Sequence, residues 1–228
     1  MKKRLLLLPL LGTFLRAGCE ITIGNKTFKL FEKDNKEQKE EKKDSGDQGG
    51  QQQKDTTPFA GLTLDTAKLD EVGDSEASGY SKLSGVSEID GIPVSFASVM
   101  TNGLNSTSTP KWETPDDAKV QVIQCKKSEA EISVTGMIKK VTVKLYSSYD
   151  FAESGLLSLT FGDKNIAKPS SAKATESTQY KSYNSAGTQS FALKLYTCEY
   201  NVNADEVGTL FMKNANTFAM YLHSIVLE

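Results

Sequence analysis

The side chains that could do chemistry in this sequence are few and scattered. A single histidine, His223, sits near the C-terminus in the run Tyr221-Leu222-His223-Ser224-Ile225. Catalysis needs a nucleophile, a general acid or base, or a metal. Adjacent residues of a strand point to opposite faces, so His223 and Ser224 do not read as a catalytic pair. The histidine is expected to be structural, its ring hydrogen-bonded at a strand end. The sequence contains no Gly-rich phosphate loop, Gly-x-Ser-x-Gly elbow or His-Glu-x-x-His. No enzyme is expected.

The cysteines are Cys19, Cys125 and Cys198, and no pair has the spacing of a zinc site. In an oxidising compartment Cys125 and Cys198 could be bridged, which the chain-entropy model values at roughly 3–4 kcal/mol. They could equally be two free thiols packed as small hydrophobes. Three carboxylates, Glu113, Asp116 and Asp117, cluster in the segment KWETPDD. Calcium favours clustered oxygen ligands, so a structural calcium site is one reading. A solvated turn before the strand at Lys119 is the other. No other cofactor is implied.

Non-covalent recognition of a sugar uses flat aromatic rings that stack on the apolar side of a pyranose, with polar groups that fix its orientation. The lone tryptophan, Trp112, stands in the polar, proline-flanked segment 105–115, with Asn102 and Asn105 nearby. Tyr180, Tyr183 and Asn184 stand in the polar stretch Ser170–Gln189. Trp112 reads either as a stacking platform or as a ring folded back to cap a core. Net charge is −2 and no basic stripe appears, so nucleic acid is not an expected partner.

The elements that would position these residues are strands. Val141, Val143 and Leu145 alternate with Thr142 and Lys144. Leu157, Leu159 and Phe161 alternate with Ser158 and Thr160, and Phe191, Leu193 and Leu195 with Ala192 and Lys194. A period of two places each apolar set on one face of a sheet. Further strands are predicted at Phe59–Asp65, Tyr80–Glu88, Pro93–Val99, Lys119–Lys126, Glu131–Thr135, Gly208–Lys213 and Phe218–Leu227. Joints are expected at Ile89-Asp90-Gly91, Thr101-Asn102-Gly103 and Phe161-Gly162-Asp163. In the last strand Phe218, Met220 and Leu222 have one parity, and Tyr221, His223, Ile225 and Leu227 the other. Either both faces are buried or a bulge near His223-Ser224 switches the phase. The pattern predicts an all-β domain over 57–228, two antiparallel sheets packed as a β-sandwich.

Before that domain, residues 19–56 read as a tether. ITIGNKTFKLF at 21–31 alternates across Gly24-Asn25 and suggests a small hairpin. Residues 32–55 interleave lysines and acids and then turn to Gly and Gln, a composition that cannot seed a core and predicts disorder. If flexible, this stretch reaches roughly 25–30 Å.

At the N-terminus, Met1-Lys2-Lys3-Arg4 precedes an apolar run of about eleven residues, where a bilayer span needs about twenty. This has the proportions of a signal peptide over 1–18, and Ala17-Gly18 supplies small residues before Cys19. Leu15-Arg16-Ala17-Gly18-Cys19 resembles the bacterial lipobox, although Arg16 stands where the family has a leucine-like residue. The resemblance implies export, cleavage before Cys19 and attachment of a diacylglyceryl (palmitate-type) anchor to its sulfur. The protein would then sit on the extracytoplasmic face of a cell membrane. A second resemblance rests on Thr135-Gly136-Met137-Ile138-Lys139-Lys140-Val141, Leu157-Ser158-Leu159-Thr160-Phe161-Gly162-Asp163 and Tyr221-Leu222-His223-Ser224-Ile225-Val226-Leu227. These segments are similar to jelly-roll-like modules of Gram-positive surface lipoproteins, often carbohydrate-binding or accessory domains. The resemblance implies a glycan ligand or, alternatively, a protein partner in the envelope.

Overall fold

The computed structural model describes residues 19–23, 26–30, 54–148, 156–166 and 168–228. The expected signal peptide, the Gly24-Asn25 turn and the tether from 31 to 53 lie outside them. The chain divides into two compact units, Met1–Gln51 and Gln52–Glu228. In the first, strand β1 (Cys19–Ile23) runs antiparallel to β2 (Lys26–Leu30), with Cys19 opposite Leu30 and Ile21 opposite Phe28.

The second unit opens with β3 (Leu62–Asp65) and a short helix, α1 (Thr66–Val72). The sequence pattern predicts no helix here, because seven residues make only about two turns and show no apolar period. The signal that does exist is a cap: the Asp65 carboxylate accepts from the Lys68 N–H at 3.0 Å. The remaining strands are β4 (Leu83–Ile89), β5 (Ile92–Leu104), β6 (Trp112–Glu113), β7 (Val120–Cys125), β8 (Glu131–Gly136), β9 (Lys140–Ser147), β10 (Ser158–Phe161), β11 (Lys164–Ile166), β12 (Ser171–Tyr183), β13 (Ser190–Asn201), β14 (Gly208–Lys213) and β15 (Met220–Leu227). Among the described residues no helix is long and apolar enough to cross a membrane.

All strand pairings are antiparallel, and they join into one curled 13-stranded sheet. Its order is β11-β10-β14-β8-β5-β7-β15-β9-β13-β12-β6, with β3 added to β15 and β4 to β5. The strands expected in two sheets are therefore hydrogen-bonded into a single one. A sheet this wide must curl if its apolar face is to be hidden from water.

Two local devices shape it. Asp90 and Gly91, with φ of 52° and 76°, make the tight β4–β5 turn that Asp-Gly predicts. Ser98, at φ 53°, puts a corner in β5. Before it, Val94–Ala97 pair with β8; after it, Val99–Leu104 pair with β7. Asn102-Gly103, read as a joint, instead lies inside β5 opposite Val122 and Gln121. The C-terminal strand β15 runs between β9 on one side and β7 and β3 on the other. Its register against β9 shifts between Leu222 and Ser224, so of the two alternatives left open by the sequence the phase switch at a bulge is the one found. Met220 and Leu222 before the shift, and Ile225 and Leu227 after it, all enter the main core.

Strand β12 is the largest departure. Ser170–Gln189 reads as a polar loop, yet thirteen of its residues form a strand along β13. Its side chains are mostly exposed, so no apolar alternation marks it, and its pairing is made by backbone groups. Two register shifts, Ala174/Glu176 and Ser177/Lys181, and the charges of Lys173 and Glu176 discourage another strand from adding to its outer edge.

Gly136 and Gly208 face each other across β8 and β14. A Cβ on Gly136 would overlap the Phe59 ring, and one on Gly208 would come within 2.7 Å of Phe161 Cζ. Each glycine therefore admits an aromatic ring onto the sheet. Gly136→Ala should lower stability by about 1–3 kcal/mol through displacement of Phe59, measured as a fall in the urea midpoint.

Candidate ligand-binding site

The sheet carries apolar clusters on both faces. On β7, Ile123 and Cys125 enter the main core while Val120 and Val122 enter a second cluster with Leu104, Trp112 and Leu193. Neighbouring residues of a strand point oppositely, so this second cluster lies on the other face. Tyr146, Tyr180 and Tyr221 pack against it from β9, β12 and β15. The strand β13 serves both clusters, with Leu193 under Trp112 and Tyr196, Cys198 and Tyr200 in the main core.

Trp112 is 1% exposed. Its ring makes edge contacts with Tyr146 and Tyr221, each at 5.4 Å between centroids. A short strap holds it there: Glu113 and Trp112 of β6 pair with Lys181 and Ser182 of β12. The Trp112 N–H donates to the Asn105 carbonyl at 3.0 Å, and the Tyr183 N–H donates to the Lys111 carbonyl at 3.1 Å. Of the two readings of Trp112, the capping ring is the one seen. A face so deeply covered cannot serve as a stacking platform.

Beside this ring opens a cavity of about 250 Å³. The end of β9 lines it with Leu145, Tyr146 and Ser147, followed by Ser148. Ser182 and Tyr183 come from β12, and Leu193 from β13. Phe218, Ala219, Met220 and Tyr221 come from the start of β15, and Pro110 and Trp112 from the strap. Phe218 stands at the rim, 44% exposed. Among the described residues, no charged side chain belongs to the lining. Burial pushes the phenols of Tyr146 and Tyr221 up to about 12, which keeps both hydroxyls neutral as hydrogen-bond donors.

Behind the wall formed by Tyr183 lies a small polar network. The Tyr183 hydroxyl donates to Glu113 Oε2 at 2.5 Å, and Lys181 Nζ lies 3.2 Å from Glu113 Oε1. The Tyr183 hydrogen bond, and then Lys181, hold the Glu113 carboxyl below its ordinary range. Glu113 is thereby tied to β12 and does not join Asp116 and Asp117. Asp117 Oδ1 instead accepts from Ser106 Oγ at 2.7 Å, and both aspartates sit in the turn Pro115–Asp117. Among the described residues no three acidic, histidine or cysteine side chains converge as a metal site, and Pro115, Asp116 and Asp117 are exposed in their turn.

The other expected site residues hold loops and strands. Asn102 Nδ2 donates to Gln124 Oε1 at 2.8 Å, and Gln124 Nε2 donates to the Tyr80 hydroxyl at 2.9 Å. Asn105 is buried; its Oδ1 accepts from the hydroxyls of Thr107 and Ser108 at 2.9 Å each. Asn184 Oδ1 accepts from the Thr188 N–H at 2.9 Å. Tyr180 sets its edge against Tyr146, 6.1 Å between centroids. Of the residues named from sequence, only Trp112 and Tyr183 line the cavity. Those missed include Tyr146, Phe218 and Tyr221. Tyr146 carried a signal, an aromatic one place off the Val141-Val143-Leu145 alternation and so on the opposite face.

Cys125 and Cys198 are free and buried. They lie on β7 and β13, which β15 and β9 separate in the sheet, and the bridged reading is corrected to packed thiols. Burial raises them to about 12 and about 11, which leaves both protonated and unreactive. His223 is exposed at the bulge, where Nδ1 lies 3.2 Å from Ser224 Oγ. The bulge thus defeats the expectation that these neighbours face apart. The ring also meets the edge of Tyr146, 6.2 Å between centroids. Cys19 opens β1 of the separate hairpin. In comparisons with protein-family models, curated proteins and solved structures, nothing matches this chain.

Proposed function

We propose that this chain is an exported, lipid-anchored binding protein: Cys19 carries the diacylglyceryl group, and the β-domain binds a ligand without catalysis. The observation that carries the binding role is the cavity beside Trp112, lined by the aromatic residues Tyr146, Tyr183, Phe218 and Tyr221 together with Ser147, Ser148 and Ser182. Aromatic surface with a few convergent polar groups is the chemistry that recognises a sugar ring, and a glycan is the ligand class proposed. In this reading the curled sheet is jelly-roll-like, its two halves serving as the layers of a sandwich across the main core. That so many strands contribute to one apolar cluster supports it.

Glycan-array screening and calorimetry on the mature protein test the binding role. A hit should be weakened at least tenfold by Phe218→Ala, since the exposed rim ring contributes to the ligand and little to the core. Silence across neutral and charged glycans would contradict the reading. The hairpin Cys19–Leu30 supports a second role, docking a protein of the envelope through its strands. Cross-linking in native membranes, with and without 21–31, separates the two.

A further inference from the structure

We infer that the cavity is turned away from the membrane that holds the anchor, and that it takes a glycan borne by a polymer or an opposing surface. A sugar headgroup on a lipid of that same membrane is not its ligand. The inference rests on the anchored, glycan-binding reading above and adds the side from which the ligand comes. Its basis is the position of the cavity along the strands. Four strands line it, each near the same end. Leu145, Tyr146 and Ser147 stand where β9 finishes, and Ser182 and Tyr183 where β12 finishes. Leu193 stands near the start of β13, and Met220 and Tyr221 where β15 begins. These strands run antiparallel, with Tyr221 opposite Tyr146 and Tyr183 opposite Ser190, so the lining ends lie together at one pole of the domain.

The opposite ends gather where the chain enters the domain. Leu227 lies opposite Val141, and Asn201 opposite Lys140. Just beyond them the Val202 N–H donates to the Lys139 carbonyl at 2.9 Å, and the Ala204 N–H to that of Ile138 at 3.1 Å. Asp205, next in the chain, lies 3.0 Å from Lys54 Nζ, and the Val207 N–H donates to the Asp55 carbonyl at 2.7 Å. Pro58 then bridges to Met137, and the Phe59 ring covers Gly136. The chain arriving from Cys19 is therefore fastened, from Lys54 to Phe59, at the pole away from the cavity. The run from Tyr221 to Leu227 alone spans about 20 Å at roughly 3.4 Å per residue. Hydrocarbon excludes the polar surface of a folded domain. A body leashed by one pole beside a wall that it cannot enter holds its other pole farther out on average. A headgroup of the same membrane thus lies on the wrong side of the domain, whereas a polymer or a facing surface meets the cavity directly.

The test uses the mature, lipidated protein in vesicles of phosphatidylcholine and phosphatidylglycerol. Thr217→Cys and Ser185→Cys each place a label at the cavity pole, and Glu206→Cys places one at the entry pole; all three positions are exposed. Cys125 and Cys198 are buried and do not compete for the label. Energy transfer from a fluorophore to rhodamine-phosphatidylethanolamine in the vesicle should be at least twofold more efficient from position 206 than from 217 or 185. With biotin in place of the fluorophore, streptavidin-coated beads stand for an opposing surface. They should capture at least threefold more vesicles through position 217 than through 206. The emission of Trp112 checks that each variant is folded, and Ser185→Cys replaces Thr217→Cys should the latter fail to fold. Equal transfer from the two poles, stronger transfer from the cavity pole, or equal capture by the beads would overturn the inference while leaving the glycan reading intact. A silent glycan array would remove the glycan named here, and the orientation would still be decided by energy transfer. A protein that carries no lipid would remove the anchored reading and this inference together, and the mass of the mature N-terminus shows that separately.

Discussion

Trp112→Ala is expected to destabilise the domain by about 3–5 kcal/mol, the range for removing a large aromatic from a packed interior. The ring is 1% exposed and fills the centre of the second cluster, between Leu104, Val120, Val122 and Leu193. Its loss would also remove two edge-to-face contacts, with Tyr146 at 76° and Tyr221 at 72°, each adding about 0.5–1.5 kcal/mol beyond burial. Urea unfolding followed by far-UV circular dichroism should show a lower midpoint at unchanged slope. Because the chain has one tryptophan, its emission reports this position alone. Wild-type emission should be blue-shifted and poorly quenched by acrylamide. A loss below about 1 kcal/mol would mean that the ring faces water after all.

Asn214→Leu should cost about 3 kcal/mol or more. Asn214 is 1% exposed and follows β14. Its Nδ2 lies 3.2 Å from the carbonyls of both Cys125 and Lys126, and 2.9 Å from that of Phe218. Its Oδ1 accepts from the Asn216 N–H at 3.0 Å. One amide thus joins the end of β7, the exit of β14 and the approach to β15. Leucine keeps the branched outline, with bulkier methyl groups, but leaves those groups unpaired, at about 1–3 kcal/mol for each buried one. Asn214→Asp keeps the shape, loses the N–H donors and should be at least as damaging at neutral pH. That pair of variants separates hydrogen bonding from packing. Since Asn214 also fixes the backbone of Phe218 at the cavity rim, ligand affinity should fall in whatever fraction of the variant remains folded.

The sequence exposed some of this design and concealed the rest for identifiable reasons. Strands β9, β10 and β15 were legible because one face of each is buried and a period of two follows directly. Asp90-Gly91 and Gly162-Asp163 were legible because tight turns need residues that accept positive φ. Strand β12 was hidden because mostly wet side chains leave no pattern, and only its backbone pairing with β13 makes it a strand. The union of the strands into one sheet was hidden because pairing partners are distant in sequence, as with β8 and β14. The burial of Trp112 depends on the strap pairing of Glu113 with Lys181, 68 residues away. A cavity assembled from four separate strands and a strap is likewise invisible until those strands are in register. Tyr183 was found because aromatic residues in polar stretches were sought; Tyr146 and Tyr221 were passed over because they sit within strands read for their core face.

In the proposed reading, a lipid anchor on Cys19 would determine where the domain works. Two acyl chains, at about 0.8 kcal/mol per buried methylene, would make attachment stable, where a single chain would be marginal. Mass spectrometry of the mature N-terminus from native membranes tests this most directly. The expected product begins at residue 19 and carries a diacylglyceryl thioether on Cys19, and Cys19→Ala should leave the protein unlipidated and released from the membrane. An intact Met1 together with an unmodified Cys19 thiol would contradict the account.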